Sequence, residues 1–250
     1  MFNDWDRDVL LKQKLSTQGP AMAVGDVNGD GLDDLYLGGA AGQKKQLFIQ
    51  QASGQFKESV QSDFNLDQTT ENTDAIFFDA DGDKDLDLFV VTGSNEFDIN
   101  APELHDLLYL NDGKGDFKRD LRFPTIFENG SCATAADMDH DGDLDLFIGA
   151  RSIPKIYGSA PKSYLMQNDG NGNFKNISDQ VFGKDNNAFG MITAAVWADI
   201  DQNGDDDLVI AGNWMGIQIY KNNKGKFTKD EQLTPYQGWW SSLKIEDIDN

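Results

Sequence analysis

Four acidic nonapeptides recur along the chain, each with side-chain oxygens at positions 1, 3, 5 and 9. The first holds Asp26, Asn28, Asp30 and Asp34, and the second Asp79, Asp81, Asp83 and Asp87. The third holds Asp137, Asp139, Asp141 and Asp145, and the fourth Asp199, Asp201, Asn203 and Asp207. A fifth copy begins with Asp247 and Asp249, and the sequence stops at Asn250. Alternate residues of a tight loop can turn such oxygens towards one centre. Carboxylate, amide and backbone oxygens are the ligands Ca²⁺ takes, in flexible coordination. By analogy with other such loops, position 7 offers its backbone carbonyl, here from Leu32, Asp85, Asp143 and Asp205. Two carboxylates about 5 Å apart repel by roughly 3 kcal/mol at an effective dielectric near 20, so converging loops call for a cation. Mg²⁺ fits less well because it keeps several waters. No Cys/His cluster favours a softer metal. One calcium ion per complete loop is therefore expected.

The competing motif is the helix–loop–helix calcium hand, which needs a bidentate Glu at position 12. Leu37, Val90, Ile148 and Ile210 stand there instead. Short apolar runs such as Leu88-Phe-Val90 and Leu146-Phe-Ile148 follow the loops, and runs such as Ala75-Ile-Phe-Phe78 precede them. These read as buried strands, so each ion should sit in the turn of a β-hairpin. Position 6 is Gly31, Gly142 and Gly204, but Lys84 in the second loop. A left-handed backbone suits glycine better than lysine, which makes the second loop the irregular one.

A second signature follows each loop: a strand, then a turn ending Gly-x-Phe, at Gly54–Phe56, Gly115–Phe117, Gly172–Phe174 and Gly225–Phe227. Asn-Asp-Gly at 111–113 and 168–170 is hairpin chemistry. Each unit therefore reads as a four-stranded antiparallel meander. Loop starts are separated by 53, 58, 62 and 48 residues. Four strands on such a period indicate an all-β fold, a β-propeller with stacked blades. The units are placed at 21–70, 71–130, 131–190 and 191–235, with an incomplete unit at 236–250. Residues 1–20 are a lead-in or the outer strand of a preceding blade. The acidic loop and the N-x-G-x-F hairpin together resemble the VCBS/FG-GAP repeat family, which includes integrin α-subunit propellers. The long aspartate-rich form is similar to bacterial ASPIC/UnbV-associated repeat proteins. The resemblance implies a ring of seven blades, so the four complete units look like part of a larger protein, with the rest of its own chain as one partner.

The formal net charge is −22, but 21 of the 43 acidic residues lie in the loops, leaving 22 against 21 Lys and Arg. The charge belongs to the metal sites, and it argues against nucleic acid or an anionic membrane as partner. Cys132 is the only cysteine and sits beside small residues, as a buried apolar group would. No run is long and apolar enough for membrane insertion. Calcium-loaded loops of this kind, and the family resemblance, imply an extracellular, cell-surface or periplasmic setting.

Two connections exceed what a hairpin needs, at 93–106 and 151–161, and both follow the second strand of their unit. They should share one propeller face and could form a ligand surface there; pinned structural loops are the plainer reading. Glu103, His105 and Asp106 are read as a solvated loop end rather than acid–base groups. His140 is read as an exposed non-ligand. Trp214, Tyr236, Trp239 and Trp240 are read as blade-to-blade packing in preference to a sugar-stacking surface. The resemblance implies a non-enzymatic scaffold for adhesion or for recognition of a protein or glycan ligand. The alternative is the propeller of a carbohydrate-active enzyme such as a calcium-dependent polysaccharide lyase. No catalytic constellation breaks the repeat.

Overall fold

The computed structural model describes residues 2–246. Each of the four complete acidic loops closes a hairpin, and each hairpin extends into an antiparallel meander. The first sheet comprises β1 (Met22–Gly25), β2 (Asp34–Leu37), β3 (Gln46–Gln50) and β4 (Phe56–Ser59). The second comprises β5 (Asn72–Phe78), β6 (Asp87–Thr92), β7 (Leu107–Leu110) and β8 (Lys118–Asp120). The third comprises β9 (Asn129–Ala136), β10 (Asp145–Ser152), β11 (Tyr164–Gln167) and β12 (Lys175–Asn176). The fourth comprises β13 (Met191–Ala198), β14 (Asp207–Gly216), β15 (Gln218–Asn223) and β16 (Lys226–Asp230). A short β17 (Gln237–Trp239) pairs with the far end of β14.

The sheets stack as propeller blades, with β1, β5, β9 and β13 side by side along the inner edge. Alternation on the second strands explains the unbroken apolar runs. Leu88 and Val90 pack back against the first blade, while Phe89 and Val91 pack forward against the third. Leu146 and Ile148 likewise face the second blade and Phe147 the fourth. A strand covered on both sides has no polar face to show, which is why the period-2 signal vanishes there. Cys132 is buried in the third of these cores, where burial pushes its thiol up to about 12.

A hydroxyl seam joins β5 to β9 and β9 to β13, and continues to the residue after β17. Thr73 donates to the Gly130 carbonyl at 3.1 Å, Ser131 to Ile192 at 2.7 Å and Thr193 to Trp240 at 2.7 Å. The lead-in is not an outer strand. It forms a short helix, α1 (Asp4–Arg7), and turns that lie over the two long connections. Buried Asp4 accepts the Leu15 and Ser16 N–H groups, which folds the segment on itself. Arg7 donates to the Asn95 carbonyl and pairs with Asp98, and the Tyr157 N–H donates to Asp8. Lys155 pairs with Asp98 at 2.6 Å, so the two long connections meet, as expected for loops on one face.

Candidate metal centre

Position 9 of each loop is the first residue of a second strand, and the fold makes it a pin. Asp34, Asp87, Asp145 and Asp207 are all essentially buried. One oxygen of each accepts the N–H of loop position 2: Val27 at 3.1 Å, Ala80 at 2.8 Å, Met138 at 3.3 Å and Ile200 at 3.1 Å. The other accepts an N–H from the end of the third strand: Gln50, Asn111, Asn168 and Asn222, at 2.7–2.8 Å. Position 1 shapes the turn. Asp26, Asp79, Asp137 and Asp199 each accept backbone N–H groups from three to five residues on. For Asp26, those N–H bonds outweigh burial and hold the carboxyl below its usual range.

Positions 1, 3 and 9 converge. One oxygen each from Asp79, Asp81 and Asp87 lies within 4.8 Å of the others, and the same holds for Asp137, Asp139 and Asp145, and for Asp199, Asp201 and Asp207. Asn28 stands at position 3 of the first loop, so no acidic triad forms beside Asp26 and Asp34. Position 5 does not join the triads. Asp30, Asp83, Asp141 and Asn203 instead accept the N–H of position 7 at 2.7–3.1 Å. In the second to fourth loops the position 7 side chains face the Gly-containing turn of the same blade: Asp85 lies against Gly113, Asp205 accepts the Lys224 N–H, and a Cβ at Gly170 would collide with the Asp143 carboxylate. That leaves the carbonyls of Leu32, Asp85, Asp143 and Asp205 as the atoms position 7 can offer. Asp247 and Asp249 lie outside the described residues.

The donor set fits a hard cation. Oδ1 of Asp81 and Oδ1 of Asp139 are buried with no hydrogen-bond partner, and both belong to triads. A buried carboxylate oxygen left unpaired is costly. The neighbouring acids feel the same lack. Burial pushes Asp87 up to about 7 against the Asn111 and Ala80 N–H groups, with Asp81 and Asp85 adding repulsion. Burial likewise takes Asp145 to about 7. Asp85 rises to about 6 through burial and the charges of Asp83, Asp81 and Asp79. A divalent cation reverses that balance, because its charge favours the ionised carboxylates. The fourth triad differs: Lys221 Nζ lies 3.8 Å from Asp201 and 3.2 Å from Asp230. The equivalent place in the third blade is Gln167, which donates to Asp139 Oδ2 at 2.8 Å.

Position 6 is left-handed in all four loops, with φ of +84° at Gly31, +98° at Gly142, +92° at Gly204 and +75° at Lys84. His140 is partly exposed, and it also touches Asp205 of the next loop, a link the sequence did not announce. Sequence reasoning also missed the bridging role of Asn111 and Asn168, read there as hairpin-turn residues, and of Asn222. Each amide donates to two carbonyls, one in its own blade's loop and one in the preceding blade's. Their common register, just before the Gly-x-Phe turn, was the available signal.

At the opposite end of the strands, two readings change. Asp106 is no solvated loop end: it is buried, and its carboxylate accepts the Thr92 N–H at 2.8 Å. Trp214 and Tyr236 are not packed between blades; they are 57% and 64% exposed. Trp214 holds φ of +57°, stacks edge-on against Trp239 at 5.0 Å and donates its indole N–H to the Tyr157 hydroxyl at 3.2 Å. Among the described residues no helix is long and apolar enough to cross a membrane.

The FG-GAP-like repeat model matches residues 18–90 and 199–250, half of the chain. Comparison with curated proteins finds no match. Among solved structures, the V. cholerae biofilm matrix protein Bap1 is similar at 15% identity, over 84% of this chain and 30% of that one, with a TM-score of 0.41. This chain thus spans less than a third of that protein's length.

Proposed function

Because the chain belongs to the FG-GAP-like repeat family, we infer that it is a calcium-clamped propeller scaffold that presents a ligand surface at the end of the blades away from its metal loops. The observation that carries the calcium reading is the pair of unpartnered buried oxygens, Asp81 Oδ1 and Asp139 Oδ1, inside acidic triads. Positions 1, 3 and 9 would hold the ion, joined by the position 7 carbonyl and, after a local turn of the side chain, by position 5. Bound calcium supplies charge neutralisation and a fixed loop geometry, not a reaction. The protein's own residues do the rest: the position 9 carboxylate ties loop, second strand and third strand together, so filling a loop stiffens a whole blade. Such weak structural sites suit a calcium-rich extracellular or periplasmic setting.

Adhesion or recognition is the activity such a scaffold supports. The ligand class favoured is glycan, on the exposed Trp214 face. A tryptophan held by a hydrogen bond and by a second ring offers a rigid apolar plane to a sugar. Met22 and Val24, exposed on the outer side of β1, support a further blade as neighbour. The lyase alternative has less behind it, since Asp106 is engaged by Thr92 inside the fold.

Thermal unfolding with excess EDTA and with millimolar calcium tests the clamp, and a rise in Tm with calcium is expected by linkage. An unchanged curve would sink the calcium reading. Binding to immobilised polysaccharides, lost in Trp214→Ala at unchanged Tm, tests the ligand face. Equal binding by that variant, or none by the wild type, would remove the glycan reading.

A further inference from the structure

The buried amides of Asn111, Asn168 and Asn222 connect one metal loop to the next. Asn111 Nδ2 donates to the Val27 carbonyl at 2.7 Å and to Leu86 at 3.1 Å. Asn168 Nδ2 donates to Ala80 at 2.9 Å and to Leu144 at 3.2 Å. Asn222 Nδ2 donates to Met138 at 2.7 Å and to Asp206 at 3.1 Å. In every case the first partner is position 2 of the preceding blade's loop and the second is position 8 of the same blade's loop. The backbone N–H groups of these asparagines and of the position 2 residues bind the position 9 carboxylates.

A continuous path results. Asp34 holds Val27, Val27 holds Asn111 and Asn111 holds Asp87; Asp87 holds Ala80, Ala80 holds Asn168 and Asn168 holds Asp145; Asp145 holds Met138, Met138 holds Asn222 and Asn222 holds Asp207. The members are buried, so water does not substitute for a lost bond. The position 9 carboxylates Asp87, Asp145 and Asp207 each belong to a triad of acids that repel until a cation joins them. The blade 1 residue in the same place is Gln50, whose N–H binds Asp34.

We propose that Asn111, Asn168 and Asn222 are positioning residues that couple adjacent loops, so that calcium fills them cooperatively. The proposal rests on the calcium reading above. An ion fixing Asp145 fixes the Asn168 backbone, and the Asn168 amide then holds Ala80 where its N–H must meet Asp87. The neighbouring loop is thereby ordered before its own ion arrives, and the second ion has less ordering left to do. By reciprocity, each loop tightens the other by the same factor.

The experiment is a calcium titration of the full chain by calorimetry, with four variants: Asp81→Ala, Asp139→Ala, Asn168→Ala and Asn168→Ala combined with Asp139→Ala. In the wild type, binding is expected to be cooperative, and loss of the third loop through Asp139→Ala should weaken the second about fivefold, at the low end of typical coupling. The Asp81→Ala variant should weaken the third loop by the same factor. In the Asn168→Ala background the second loop should no longer respond to Asp139→Ala. A merely structural role for Asn168 would lower Tm yet leave that response intact, and would overturn the proposal. Independent sites in the wild type would overturn it too, while leaving the calcium reading in place. Absence of any calcium heat would sink both. Should Asn168→Ala not fold, Asn222→Ala with Asp201→Ala puts the same question to the third and fourth loops.

Discussion

Replacing Lys84 by glycine should stabilise the protein. Lys84 holds φ of +75° at a place where the other three loops use Gly31, Gly142 and Gly204. An L side chain in the left-handed region costs roughly 1–2 kcal/mol. Glycine gives back about 0.5–1 kcal/mol through its freer unfolded chain. The net gain expected is about 0.5–1 kcal/mol, or about 1–4 °C in Tm for a chain of this length. Lys84 is exposed and makes no ion pair among the described residues, so little is lost with it. Its charge also sits beside an acidic loop, so a second variant separates charge from backbone: Lys84→Ala removes the charge and keeps the strain. The converse is Gly142→Ala. A Cβ there meets nothing within 4 Å, so its cost is backbone alone, about 1 kcal/mol. Calorimetric melting in EDTA, where no ion contributes, is the assay. A lower Tm for Lys84→Gly, or equal gains from Lys84→Gly and Lys84→Ala together with a neutral Gly142→Ala, would refute the backbone argument.

Three further outcomes are expected. Asp139→Ala should lower the calcium-dependent part of the Tm rise while changing the melt in EDTA by much less, since Oδ1 has no partner to lose and Oδ2 has only Gln167; equal losses in both conditions would contradict this. Lys221→Gln should tighten calcium at the fourth loop several-fold in a titration, because the ammonium near Asp201 no longer competes with the ion; unchanged affinity would argue against that competition. Asp106→Asn should flatten the pH dependence of stability in saturating calcium. Burial pushes Asp106 up to about 8, against the Thr92 bonds and Arg119, with Glu128 adding repulsion. The folded state therefore binds a proton the unfolded state has released, so this group's contribution falls as pH rises from about 4 to about 8, by at most about 1.4 kcal/mol per unit. Denaturant melts at pH 5 and pH 8 should show the variant gaining on the wild type at the higher pH; parallel curves would refute it.

The hairpins and the blade order were legible because two independent signals repeat in step: oxygens at odd positions, and apolar residues at fixed distances after them. The left-handed position 6 was legible from three glycines. Position 5 was not, because spacing cannot tell an oxygen that faces the centre from one that caps the N–H of position 7, as Asp83 does with Asp85. Asn168 was legible only as a turn residue, since its second role depends on the neighbouring blade lying against it. Asp106 and Trp214 were assigned the wrong exposure for the same reason. Local composition marked one as loop and the other as core, while the packing of the lead-in and the long connections decided otherwise.

The hydroxyl seam has a mechanical consequence. Between blades the inner strands share only a few hydrogen bonds, from Thr73 and Ala133 across β5 and β9 and from Ser131 and Trp197 across β9 and β13, whereas each sheet is laced internally by ladders. Tension along the chain therefore meets two kinds of joint: ladders within a sheet, and between sheets apolar cores with the buried asparagine bonds and these few inner-strand contacts. Extension should run as a sawtooth, one sheet released per tooth. With loop starts 53–62 residues apart, each release should lengthen the chain by about 180–220 Å at roughly 3.3–3.6 Å per residue. A chain built this way gives way under load in instalments instead of all at once.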